Sequence, residues 1–129
     1  MVRKKRVMIV EDEESLLKLE TILLTVKGFD VLGVCSGKTA LDKIGVEAFD
    51  LVLLDNMLPD LDGFEVCLRM RQDPRTASVP IIMLSGKNSQ SDRDRGITCG
   101  ANTYFFKPFK SAMIIDEINR LLSEQGSAA

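Results

Sequence analysis

Leu51-Val52-Leu53-Leu54-Asp55 is an unbroken apolar run closed by a carboxylate. It does not alternate apolar with polar residues, so both of its faces must be covered, which is the signature of a strand inside a parallel sheet. Ile81-Ile82-Met83-Leu84 reads the same way. Working outward, short apolar runs rich in β-branched residues recur at Arg6–Val10, Val31–Cys35, Leu51–Leu54, Pro80–Leu84 and Thr103–Phe106, giving five strand candidates. Segments with helical spacing fill the gaps. The first carries Leu16, Leu17, Leu19, Ile22, Leu23 and Val26 and closes at Gly28 as a C-cap. Others are expected at about 38–46, 64–71, 90–99 and 111–122, the last with Met113, Ile114, Ile118, Leu121 and Leu122. Strand and helix alternate five times, which predicts an α/β fold: a five-stranded parallel sheet, doubly wound as (βα)5 by right-handed crossovers. Ligands on such a sheet bind beyond the carboxyl ends of the strands.

The 129 residues fit one domain, residues 1–129, with a core over about 5–123 and a short polar tail at 124–129. With 45% hydrophobic and 28% charged residues the composition is that of a globular protein. The apolar runs are too short to span a membrane, and the charged start Met1–Arg6 precedes no signal-peptide core, so a cytoplasmic location is expected. A net charge of −2 gives no electrostatic reason for direct nucleic-acid binding, and the basic cluster Arg3–Arg6 is too short to reverse that. Cys35, Cys67 and Cys99 form no CxxC pair, and the chain has no histidine. They read as reduced, small apolar residues, and Ser/His or Cys/His nucleophile chemistry is excluded.

The strand ends bring together Glu11 and Asp12, then Asp55, Ser85 and Lys107. Each alone has a plain reading as a helix-opening acid, a turn residue or a cap. Jointly, at one sheet edge, they point to chemistry: clustered carboxylates repel one another unless a cation neutralises them, and a hard divalent ion such as magnesium suits that role. The same set can move a phosphoryl group onto a carboxylate, with Asp55 as nucleophile and with Lys107 and Ser85 reaching phosphoryl oxygens.

These residues resemble the receiver domain of two-component response regulators, over essentially the whole chain. The likeness is carried by IVEDE at Ile9–Glu13, LLDNMLPDLDG at Leu53–Gly63, MLSG at Met83–Gly86 and GANTYFFKPF at Gly100–Phe109. The separations also fit: 43 positions from Asp12 to Asp55, 30 to Ser85 and 22 to Lys107. The resemblance implies a flavodoxin-like strand order 2-1-3-4-5. It implies that Asp55 accepts phosphate from a sensor histidine kinase or phosphotransfer protein, and that Glu11, Asp12, Asp55 and the Met57 backbone carbonyl surround magnesium. Ser85 becomes the switch hydroxyl, Tyr104 the rotating aromatic and Lys107–Pro108 a cis peptide, while Met57 and Lys87 tune the phosphoryl lifetime. On this reading the chain is a signalling switch that acts on itself and not a turnover enzyme. It passes its state to a downstream effector through the face formed by the fourth helix, fifth strand and fifth helix.

Some positions depart from the family pattern. Glu11 replaces the commoner aspartate, which places its metal contact through a water. Asn102, Thr103 and Glu117 stand where many DNA-binding members carry charges that pair across a dimer, so a monomer or weak homodimer is expected. The segment Gly86–Arg95 has no apolar anchor, which marks the fourth helix as the mobile part of the switch. Two alternatives stand beside this reading. An aspartyl-phosphate phosphatase is disfavoured because Met57 occupies the place of its second acid. A phosphorylation-independent interaction module conflicts with the intact Asp12, Asp55, Ser85 and Lys107. Nucleotide enzymes are set aside because neither GxGxxG nor GxxxxGK[ST] occurs.

Overall fold

The computed structural model describes residues 3–86 and 89–127. Five strands, β1 (Arg6–Val10), β2 (Asp30–Val34), β3 (Leu51–Asp55), β4 (Ile81–Ser85) and β5 (Thr103–Phe106), form one sheet in the order β2-β1-β3-β4-β5. Every pairing is parallel. Between and after them run α1 (Glu14–Val26), α2 (Gly37–Ile44), α3 (Gly63–Gln72), α4 (Gln90–Thr98) and α5 (Ser111–Ser127). No helix among the described residues is long and apolar enough to cross a membrane. The three cysteines are free.

Alternate residues of each strand feed opposite faces of the sheet. Met8, Val10, Val52, Leu54, Ile81 and Met83 meet Ala40 and Ile44 of α2 and Phe64, Val66, Cys67 and Met70 of α3. On the other face Val7, Ile9, Leu51, Leu53, Ile82 and Leu84 meet Leu24 of α1 and Ile114, Ile118, Leu121 and Leu122 of α5. All five residues of β3 and of β4 are buried, as their unbroken apolar runs require, whereas the edge strands β2 and β5 are partly open.

The helix ends follow their residues. Ser36, Asp62 and Ser89 each accept a hydrogen bond from the backbone N–H three residues on, capping α2, α3 and α4. At the end of α1, Gly28 takes φ +95°, its N–H donates to the Thr25 carbonyl (3.0 Å) and the Phe29 N–H donates to the Leu24 carbonyl (3.1 Å). This is a Schellman closure that needs a residue without a Cβ penalty.

Several boundaries differ from expectation, among them β4, which spans Ile81–Ser85 where Pro80–Leu84 was expected. β2 starts one residue earlier because Asp30–Val34 pairs in register with Arg6–Val10, leaving Cys35 exposed. α2 ends at Ile44, two residues early, since the next turn would carry Val46, which is exposed. α5 runs on to Ser127, past the expected end at Leu122. The buried face of α1 also differs. Leu19, Ile22 and Val26 are exposed, and Glu20 and Leu24 are the buried residues of the helix.

One close approach positions the site. The Gly63 N–H donates to the Asn56 carbonyl (2.9 Å), and a Cβ on residue 63 would stand 2.4 Å from the Asp55 carbonyl oxygen and 2.5 Å from the Asn56 Cα. Both are backbone atoms, at the last residue of β3 and the first of the loop that follows, and cannot swing aside. Gly63→Ala is therefore expected to lower the unfolding free energy by about 2–3 kcal/mol, read as a reduced midpoint in urea denaturation.

Candidate functional site

The parallel strands all end at one edge, and the residues singled out in the sequence meet there. Glu11 and Asp12 follow β1, Asp55 and Ser85 close β3 and β4, and Lys107 follows β5. Carboxylate oxygens of Glu11, Asp12 and Asp55 lie within 4.8 Å of one another, with Glu11 and Asp55 buried and Asp12 exposed. The Lys107 ammonium bridges two of them, donating to Glu11 Oε1 (3.0 Å) and Asp55 Oδ2 (3.1 Å). The other Asp55 oxygen, Oδ1, accepts the Met57 N–H (3.0 Å), and Glu11 Oε2 accepts the Glu13 N–H (3.2 Å). The Lys107–Pro108 peptide is cis. Lys87 lies outside the described residues.

The electrostatics show a surplus of acid. Burial, followed by the hydrogen bond and charge of Asp55, pushes the Glu11 carboxyl from 4.5 up to about 7, against the opposing pull of Lys107 and the Glu13 N–H. Burial acts against the Lys107 ammonium, but the Glu11 hydrogen bond and the charges of Asp55 and Glu11 outweigh it and hold its pKa above the ordinary lysine value. Three hard oxygen donors converging on one point, with Lys107 as their counterion among the described residues, suit a magnesium ion.

Ser85 and Tyr104 are joined by a residue given no role in the sequence reading. The Ser85 hydroxyl donates to Asn56 Oδ1 (2.6 Å), and Asn56 Nδ2 reaches toward the Tyr104 hydroxyl (3.5 Å). All three side chains are buried. The sign of Asn56 in the sequence is its place directly after Asp55, where a polar amide in a turned-in loop must find partners. Glu20 was also passed over: an acid four residues before Leu24 shares that residue's inward face.

Tyr104 lies inward against α4. A Cβ on Gly96 would stand 2.6 Å from the ring Cδ2 and 3.0 Å from Cε2, so the ring occupies space that glycine leaves open. The chain has one tyrosine and no tryptophan, so its intrinsic fluorescence reports residue 104 alone. Gly96→Ala is expected to drive the ring outward and to raise acrylamide quenching of that fluorescence about two- to threefold, as a shift of the ring population of order 1 kcal/mol would produce.

Comparison with known proteins identifies the class. The response regulator receiver domain model matches residues 7–119, and the chain belongs to this family. It is 38% identical over 125 residues to the alkaline phosphatase synthesis transcriptional regulatory protein PhoP of Bacillus subtilis, covering 97% of this chain and 51% of that protein. It is 38% identical over 117 residues to the phosphate regulon transcriptional regulatory protein PhoB of Rhizobium meliloti, covering 91% and 52%. The chain thus spans about half the length of these curated relatives. Among solved structures, a CheY-like receiver domain protein of Methanospirillum hungatei superposes with TM-score 0.93 at 28% identity, covering 98% of this chain and 100% of the other. The receiver domain of a Pseudomonas aeruginosa sensor histidine kinase, which holds a magnesium ion in its active site cleft, superposes with TM-score 0.87 at 29% identity, covering 94% and 99%.

Proposed function

We propose that this receiver is a phosphorylation-activated switch in which Asp55 takes a phosphoryl group from the phosphohistidine of a sensor histidine kinase or phosphotransfer protein. The observation that carries the reading is the convergence of Glu11, Asp12, Asp55 and Lys107, with Asp55 Oδ1 pinned by the Met57 N–H and Oδ2 by Lys107. In the transfer an Asp55 oxygen attacks phosphorus, a P–O bond forms as the donor's P–N bond breaks, and the departing imidazole takes its proton from solvent. Glu11, Asp12, Asp55 and the Met57 carbonyl are the groups that would hold magnesium. The ion supplies neutralisation of charge on the phosphoryl oxygens when bound. Lys107, which lies on Asp55 Oδ2 in the metal-free chain, pairs with a phosphoryl oxygen, and Ser85 turns from Asn56 to donate to another. That turn frees the Asn56 side chain and, with it, the inward position of Tyr104. The event is a single self-modification and not turnover of a substrate.

The output surface in this proposal is the face of α4, β5 and α5. Gly96 is the buried residue of α4, which is otherwise tied down by the Arg95–Asp62 ion pair (3.6 Å) and by Arg95 over the Phe64 ring (4.2 Å). Few buried contacts make α4 easy to shift. On the same face Glu117 is satisfied within its own chain by Thr103 and Arg120, and Asn102 is held by Arg71. This supports a monomer or weak homodimer that signals to an effector protein or domain. A cytoplasmic location and a protein partner in place of nucleic acid belong to the same proposal.

The test is intact mass after incubation with acetyl phosphate and magnesium. A gain of one phosphoryl group that disappears with a chelator is expected. Absence of that gain together with failure to bind beryllofluoride would overturn the switch and favour an interaction module that works without phosphate.

A further inference from the structure

Glu20 is the anomaly of the molecule. It lies on the buried face of α1, is 7% exposed, and among the described residues neither carboxylate oxygen has a hydrogen-bond partner. Below it is a small cavity walled by Leu24, Leu53, Leu84, Phe109 and Ile114, with Ser111 as its polar member, so among the described residues no cation lines that side. Above it Glu20 shares a groove with Lys107, Pro108 and Glu13. The charges that act on Glu20 are Glu11, Lys107 and Asp55, and Lys107 is the cation among them. A buried carboxylate without a partner is retained at a cost unless some state of the protein pairs it.

Lys107 has reason to move. Its two acceptors, Glu11 and Asp55, belong to the trio of carboxylates that converge within 4.8 Å. When those carboxylates turn to a divalent cation, the ammonium loses both partners and meets a like charge. We propose that Glu20 is a positioning residue that receives the Lys107 ammonium in the magnesium-loaded, unphosphorylated protein, holding it beside Asp55 until a phosphoryl oxygen arrives. This rests on the magnesium reading of the site given above and adds a residue outside it. Glu20 thereby favours metal binding indirectly, by giving the displaced lysine a seat, and the buried acid has a use in a state other than the metal-free one.

A double-mutant cycle on magnesium affinity tests this, by titration calorimetry in buffer above the Glu20 pKa of about 7. Glu20→Gln is nearly isosteric and removes a buried charge, and Glu20→Leu serves as a second variant should the amide pack poorly. With Lys107 present, either is expected to weaken magnesium binding roughly three- to tenfold. In a Lys107→Met background the same change is expected to leave the affinity unaltered, and Glu13→Gln is expected to have no effect in either. Equal losses in both backgrounds would mean that Glu20 acts on the metal as a distant charge, and no loss would mean that Lys107 does not use it. A coupling that appears at Glu13 would place the seat there. Each of these overturns the inference. A wild-type chain that binds no magnesium fails at an earlier point and strikes the metal reading itself. A magnesium-loaded structure offers a second readout, with Lys107 Nζ expected within about 4 Å of a Glu20 oxygen and not on Glu11.

Discussion

An Asp55→Asn chain is expected to take up no phosphoryl group from acetyl phosphate and magnesium, with incorporation falling below detection in the intact-mass measurement. The amide oxygen is a poor nucleophile, and the nucleophilic carboxylate is the one that the Met57 N–H and Lys107 hold in place at the end of β3. The same substitution has a second consequence that does not depend on phosphorylation. After burial, the hydrogen bond and charge of Asp55 are the next largest causes of the raised Glu11 pKa. Without them Glu11 should titrate below about 7, observable as a shift of its side-chain carboxyl resonance in a pH series. Uptake of label by Asp55→Asn would place the acceptor elsewhere, Asp12 first.

The second large effect is on stability against pH. Burial raises the Glu20 carboxyl from 4.5 to about 7, with Glu11 adding to the shift and Lys107 opposing it. Because the folded pKa lies above the ordinary value, the folded chain binds more protons than the unfolded chain between about 4.5 and 7. Stability therefore falls as pH rises through that window, the reverse of the behaviour of a carboxylate paired in an ion bridge. Glu11 contributes in the same direction. In the absence of divalent metal the protein is thus expected to be more resistant to urea near the acid end of this window than above it. Glu20→Leu should remove part of the slope and stabilise the chain at the alkaline end by about 2–3 kcal/mol, since a buried unpaired carboxylate is exchanged for a residue that suits the cavity beneath it. Denaturation curves at several pH values, with and without the substitution, measure both. An unchanged slope in Glu20→Leu would show that Glu20 is ionised throughout.

Much of the architecture was legible because it is written in local periodicity. The non-alternating runs of β3 and β4 announce strands covered on both faces, and the carboxylates, hydroxyl and lysine at the strand ends fall at one edge once the sheet is parallel. The helix end at Gly28 follows from a missing Cβ, which acts within a few residues. The inner face of α1 was less legible. Its leucines, with Ile22 and Val26, are so numerous that more than one helical stripe is apolar, and only packing against β1, β3 and α5 selects Leu24 and Glu20 for the interior over Leu19, Ile22 and Val26.

What the sequence by itself determined, then, is the order of strands and helices, the parallel sheet and the identity of the acidic, hydroxyl and lysine groups at its edge. These depend on residue type and spacing along a chain whose periods of two and 3.6 are set by backbone geometry. Tertiary structure alone decided where each side chain points: Lys107 across Glu11 and Asp55, Ser85 onto Asn56, Tyr104 into the space above Gly96, and Glu20 into an apolar wall without a partner. Those choices depend on contacts between residues far apart in the chain and on the balance between desolvation and pairing in a buried site. No local pattern carries that balance, because it is set by everything that surrounds the charge.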